Sequence, residues 1–182
     1  MRHAVTILVA VFIFSLAACG GGGGGSSNVS DSSGSGGSGG GSESSLVGTW
    51  KSVCMFIGGP EPYIIITKTY NTNDSFVDTV LWFTDSACAS ATGLKRVNQN
   101  SYSLGGKVTA SGKSAYEIDI TTNSWTLTQD GATAGGGTNL PTTYDLVAIE
   151  GKTLYVSNTP TPITNPADRP TTLDLPNYYT RQ

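Results

Sequence analysis

Histidine is nearly missing from this chain. Of 182 residues only His3 is one, and it stands at the start of an apolar leader. Nucleophilic machinery of the Ser-His-Asp or Cys-His kind, and zinc held by histidines, are thereby excluded from the rest of the chain. Charge is scarce as well. Asp, Glu, Lys and Arg make up 13% of the sequence, about half the ordinary share of ~25%. The 10 Lys and Arg residues against 13 Asp and Glu leave a net charge of −3. No basic run is present to track a nucleic acid backbone, and no basic amphipathic helix to lie on a membrane. Long apolar runs are also absent. The longest, Ala4–Ala18, falls short of the roughly 20 residues that cross a bilayer as a helix. The remaining acids do not assemble a catalytic pair. Asp74, Asp78 and Asp85 read as turn and sheet-face residues, and Glu117 and Asp119 as one solvated face of a strand. A calcium loop with its obligatory glycine is not recognisable around them. The expectation is a non-enzymatic protein with no cofactor and no metal.

What is present begins with the leader. Met1-Arg2-His3 supplies a positive start, Ala4–Ala18 an apolar middle, and Leu16-Ala17-Ala18 a small-residue cleavage site. That is the layout of a secretory signal peptide, here residues 1–18. Because it ends on Leu16-Ala17-Ala18-Cys19, it resembles the lipobox of bacterial lipoproteins. The resemblance implies that the precursor is cut before Cys19 and that this cysteine carries diacylglycerol and a further acyl chain such as palmitate. It also implies a location in the cell envelope, with the membrane as the partner of that lipid. Gly20 stands where an aspartate usually marks retention in the inner membrane, which favours the outer membrane.

Residues 19–45 then form a linker. From Gly20 to Ser45 the chain is almost entirely Gly and Ser, with Val29 the only sizeable apolar side chain. Such a segment cannot bury enough surface to offset its ordering entropy, so it is expected to be a disordered tether. As a coil it would span roughly 28 Å on average and about 90 Å when stretched.

Residues 46–182 have the size of one domain, and their pattern is that of short strands. Tyr63–Tyr70 and Phe76–Thr84 are rich in β-branched and aromatic residues, with the polar turn Asn71–Ser75 between them. In Ala115–Thr121, Tyr116, Ile118 and Ile120 face one way, while Ala115, Glu117, Asp119 and Thr121 face the other. Asn123 reads as a turn, after which Trp125 and Leu127 alternate again. Asp130–Asn139, with its three glycines, reads as a long mobile hairpin loop. Tyr144, Leu146 and Ala148 alternate, Glu150-Gly151-Lys152 turns, and Leu154 and Val156 follow. Gly58-Gly59-Pro60, Gly105-Gly106 and Ser111-Gly112 supply further turns. The prolines between Pro160 and Pro176 read as an extended connection to a last edge strand, Thr171–Leu175. About eight strands at this spacing predict an all-β, single antiparallel barrel or sandwich.

The start of the domain narrows that choice. Gly48-Thr49-Trp50 resembles the Gly-X-Trp entry into the first strand of lipocalin-like barrels. The resemblance implies an up-and-down barrel whose tryptophan plugs one end, with an arginine from near the last strand packed across its ring. Arg169 is the preferred partner and Arg181 the alternative. No helix follows the last strands, as it does in that family. Apart from the resemblance, Trp50 reads as a core aromatic.

With Cys19 given to lipid, Cys54 and Cys88 remain as a pair in an oxidising compartment and are expected to form a structural disulfide. Two functional expectations follow. One is a membrane-anchored binding module whose barrel takes a small apolar or amphipathic ligand, suggested by Tyr63, Tyr70, Phe76, Trp82, Phe83, Tyr116 and Trp125. The alternative is a structural or protein-interaction lipoprotein, inhibitor-like in form, that offers Asp130–Asn139 and Pro160–Pro176 to an envelope protein. Individual ligand-binding residues are not legible at this stage.

Overall fold

The computed structural model describes residues 45–182, apart from Asn158 and Pro160. The segments expected to be a signal peptide (1–18), a lipidated Cys19 and a linker up to residue 44 lie outside the described residues. Among the described residues ten strands are found in chain order: β1 (Gly48–Ser52), β2 (Met55–Phe56), β3 (Tyr63–Tyr70), β4 (Ser75–Phe83), β5 (Ala91–Ala110), β6 (Lys113–Gln129), β7 (Ala132–Thr138), β8 (Thr143–Glu150), β9 (Thr153–Val156) and β10 (Tyr179–Arg181).

Eight of them close a barrel. Around the ring the order is β1, β3, β4, β5, β6, β8, β9 and β10, and β10 pairs back onto β1, every pair antiparallel. Sequence neighbours are wall neighbours, which is the up-and-down arrangement. Closure removes the open edges that a flat sheet of this composition would expose. β2 prolongs the first strand along β3, and β7 prolongs β8 along β6.

Local chemistry sets the hairpins. At Ser111-Gly112 and Asp130-Gly131 both central residues have positive φ (50° and 74°, 51° and 83°). That twist matches the right-handed twist of the flanking strands, and Gly takes it without strain. The alternation then sorts the faces. Trp50, Tyr70, Phe76, Ile118, Val147, Leu154 and Tyr179 form the interior cluster, with Ile66, Tyr102, Tyr116 and Ile120 packed against it.

Four expectations are corrected. Asp130–Asn139 is not a mobile loop: after the two-residue turn it forms β7, paired to β6 from Ser124↔Thr138 to Gln129↔Ala132. Glycine's low strand preference hid it, and the glycines have a packing reason. The Trp125 indole lies across them, and a Cβ on Gly137 would stand 2.7 Å from its Nε1. Asn123 lies within β6 rather than in a turn. Gly105-Gly106 lies within β5, at a register shift between Leu104 and Lys107. Finally, Thr171–Leu175 is not the last strand; that place belongs to Tyr179–Arg181.

Residues 161–178 instead form a strap across the outside of the wall. Leu173 is buried on a second, external apolar patch of Ala110, Ala115, Leu146 and Ala148. Backbone bonds from Tyr144 N to Ile163 O (2.9 Å) and from Asp174 N to Val156 O (2.8 Å) tie it down. Arg169 is its clamp. Its Nη1 donates to the carbonyls of Ile118 (3.0 Å) and Asp145 (2.8 Å), and its Nη2 to Asp119 Oδ1 (2.5 Å). Its Nε lies 3.7 Å from Glu117 Oε1, and the guanidinium is 5.1 Å from the Tyr144 ring centre.

Cys54 and Cys88 are bonded, with Cα atoms 5.8 Å apart. The bridge joins the junction of β1 and β2 to the loop between β4 and β5. Asp85 shapes that loop by accepting from the backbone N–H groups of Ala87 (3.0 Å), Ala89 (3.2 Å) and Ser90 (2.6 Å). These donors, Ser90 first, hold its carboxyl below its ordinary pKa.

Candidate functional site: the barrel ends and the charged floor between them

The first end is built on Gly48 and Trp50. Gly48 has φ +136°, a conformation that side chains rarely adopt. A Cβ there would stand 3.7 Å from Arg181 Cζ. Two residues on, Trp50 points inward and is fully buried. Its Nε1 donates to the Leu46 carbonyl (2.8 Å), which fixes the incoming chain against the ring. The arginine across the indole is Arg181, at 4.5 Å from the ring centre. Arg169, the residue preferred from sequence, is on the strap outside the wall. Register explains the difference, because Arg181 is the direct cross-strand partner of Trp50. Arg181 Nη2 donates to the Ser45 carbonyl, while its buried Nε has no hydrogen-bond partner.

Beside this end lies a cleft of about 560 Å³. The side chains of Tyr102, Leu104, Tyr116, Val147 and Ile149 line it with the entering segment Ser45–Val47, and Lys107 and Ser114 stand among them. The lining is mostly apolar, and the volume falls in the ~300–1,000 Å³ span of small-molecule sites. Leu104 is half exposed and forms a lip. The long β5–β6 hairpin supplies most of this wall, because β5 continues past Tyr102, whose N–H donates to Asp74 O (2.9 Å), the end of the β3–β4 turn.

A smaller cleft of about 280 Å³ lies at the opposite end, where Met55, Phe56, Ile57, Ile64, Ile66, Val156 and Tyr179 contribute. Phe56 and Ile57 stand out at the tip between β2 and β3, 70% and 53% exposed. Phe56 keeps one contact with Tyr63, at 5.4 Å between ring centres.

Charged groups occupy the interior between the two clefts. Along β3 the inward positions run Ile64, Ile66, Lys68, Tyr70, and along β8 they run Asp145, Val147, Ile149. Ile64 and Ile66 line one cleft, Val147 and Ile149 the other, and Lys68 and Asp145 come next in each series. Lys68 Nζ is 3.5 Å from Asp78 Oδ2, and 5.5 Å and 5.8 Å from the ring centres of Phe76 and Tyr179. Burial alone would lower the pKa of Lys68. The carboxylate of Asp78, then Tyr179, Tyr70 and Asp145, override it, and the ammonium stays charged above its ordinary range. Asp145 moves the other way to most paired acids: burial raises its pKa, against donors from Ser157 and Leu146 and the charge of Lys68. Tyr179 is likewise raised, first by burial. Asp78 Oδ1 is buried with no hydrogen-bond partner, and Asn98 Nδ2 reaches Oδ2 at 3.4 Å.

The carboxylates noted from sequence are thus dispersed. Asp74 is in the β3–β4 turn, Asp78 faces Lys68 inside, Asp85 organises its loop, and Glu117 and Asp119 hold Arg169 outside. Among the described residues no group of His, Cys, Asp and Glu is arranged to hold a metal ion, and no helix is long and apolar enough to cross a membrane. Lys68 and Asp145 went unnoticed in the sequence: Lys68 follows the inward phase of Ile64 and Ile66, but the alternation read in β8, Tyr144, Leu146 and Ala148, is its outer face, and Asp145 shares the inner one with Val147 and Ile149.

No protein-family model matches the chain, and no curated protein matches it.

Proposed function

We propose that this chain is a lipid-anchored envelope lipoprotein whose lipocalin-like barrel binds a small apolar or amphipathic ligand in the cleft beside Trp50. The observation that carries this reading is the 560 Å³ cleft itself, with its Tyr102, Leu104, Tyr116, Val147 and Ile149 lining. A barrel of eight strands is commonly filled by its own side chains, so an open apolar volume in this one favours a guest. The anchor rests on the sequence Leu16-Ala17-Ala18-Cys19 and on the Gly/Ser stretch after it.

The test is displacement of a fluorescent apolar probe, anilinonaphthalene sulfonate, from the purified chain. Binding that saturates at one site and falls at least tenfold in Val147→Asp supports the reading. Equal probe binding by the wild type and the variant, with folding intact, overturns it. The anchor is tested separately by intact mass of the protein taken from its own membrane, where cleavage before Cys19 and added acyl mass are expected.

A protein-interaction role without a ligand has one observation in its favour, the exposed Phe56 and Ile57 at the far end. Loss of a co-purifying envelope protein in a Phe56→Ser/Ile57→Ser variant, with probe binding unchanged, would support it over the first.

A further inference from the structure

We propose that β7 is an association edge at which a second copy of this chain pairs, strand to strand and antiparallel about a twofold axis. The inference is independent of the ligand reading and rests on how β7 is held. Among the described residues β7 pairs with β6 alone and stands off the closed ring. Every residue from Ala132 to Thr138 is exposed except Gly135 and Gly137, which are half-buried under the Trp125 indole. Its far side therefore presents ladder groups of the backbone to solvent, the template on which another strand adds.

Proteins ordinarily guard such an edge with lysine, proline, a charge or a covering segment. Here Ala132-Thr133-Ala134-Gly135-Gly136-Gly137-Thr138 carries no charge and no proline. Its one guard is the register shift that leaves Ala134 without a partner on β6, and Gly135–Thr138 beyond it is regular. A twofold axis sets this segment against its own copy. Charged side chains would then face their like, which destabilises a strand pair; Ala, Thr and Gly face theirs without repulsion or crowding. The Trp125 indole packs against Gly135 and Gly137, so less ordering of the glycine run is left to be done on association. A ladder this short buries far less than the ~1,200–2,000 Å² of stable complexes, so the dimer belongs to the weak, transient class.

Sedimentation equilibrium of the purified chain over a hundredfold range of concentration tests this. The average mass is expected to rise from monomer toward dimer. Ala134→Lys/Thr138→Lys and Ala134→Glu/Thr138→Glu are each expected to stay monomeric, and their equimolar mixture to recover dimer through opposite charges. Hydrogen exchange of the wild type gives a readout that needs no variant: protection of Gly135–Thr138 amides should grow with concentration, while that of the β1–β10 seam should not. A wild type that remains monomeric throughout, a dimer untouched by the lysine pair, or edge amides indifferent to concentration would each overturn the proposal.

Discussion

Arg181 lies directly across the strand pair from Trp50, with its guanidinium 4.5 Å from the indole centre. The second-to-last residue of the chain thus covers the ring that the first strand buries, and both hold the entering segment, Trp50 through Leu46 O and Arg181 through Ser45 O.

That arrangement makes unequal demands on the arginine and the tryptophan. Replacing Arg181 by Ala is expected to cost about 0.5–2 kcal/mol from the lost guanidinium–indole contact, and Trp50→Ala about 3–5 kcal/mol from the cavity. Urea unfolding of each single variant and of the pair checks this. The pair should cost less than the sum, because each change already removes the other's contact.

Arg169 should behave as a clamp and not as a plug. Arg169→Ala is expected to free residues 161–178 for proteolysis at concentrations that leave the wild type intact, and Arg169→Lys to rescue little. An ammonium lacks the planar fork that here reaches Ile118 O, Asp145 O and Asp119 together. Timed digestion followed by mass analysis of the fragments decides it.

The charged floor predicts an asymmetry between breaking and replacing a pair. Lys68→Ala leaves the carboxylates of Asp78 and Asp145 without their cation in the barrel, and about 3–5 kcal/mol should be lost. Lys68→Met/Asp78→Leu removes both charges of the 3.5 Å pair and is expected to lose far less. Chemical denaturation of both variants at neutral pH compares them.

Asp85 and Asp145 should pull stability in opposite directions with pH. The folded pKa of Asp85 is lowered by its loop's N–H groups, so its contribution is present above the unfolded value near pH 4 and is lost as pH falls through the folded value. That of Asp145 is raised by burial, so its contribution is present below the unfolded value and is lost as pH rises through the folded one. In urea midpoints measured from pH 3 to 7, Asp145→Asn should steepen the net gain with pH and Asp85→Asn should flatten it.

Reduction tests the bridge. The 34-residue separation of Cys54 and Cys88 gives about 3–4 kcal/mol on the chain-entropy account. Melting with and without dithiothreitol should show a drop of that size, and Cys54→Ser/Cys88→Ser should melt like the reduced wild type and ignore the reagent.

The sequence revealed the wall better than the interior. Strands such as Tyr63–Tyr70 announce themselves because β-branched and aromatic residues run up to a polar turn, and the structure matches that range residue for residue. β7 was missed because glycine scores as a turn when its neighbours are unknown; its reason, Trp125, lies in the strand before it and acts only after folding. The closing strand was misplaced for a related cause. Leu173 looks like a strand residue since it is buried, but its burial comes from an external patch that β5, β6 and β8 create together. Lys68 hid behind its charge, since Ile64 and Ile66 carry it inside; Asp145 hid because β8 is apolar on both faces, and Tyr144, Leu146 and Ala148, the series that alternates in the sequence, is the outer one.

The seam between β1 and β10 also governs the order in which this molecule can be completed. Thr180 reaches back to Lys51 across 129 positions, and Gln182 N to Thr49 O. A growing chain holds seven of its eight wall strands as an open, unsealed sheet until Tyr179–Arg181 emerges. Closure therefore waits for β10, and loss of Tyr179–Arg181 would leave the barrel without its last stave.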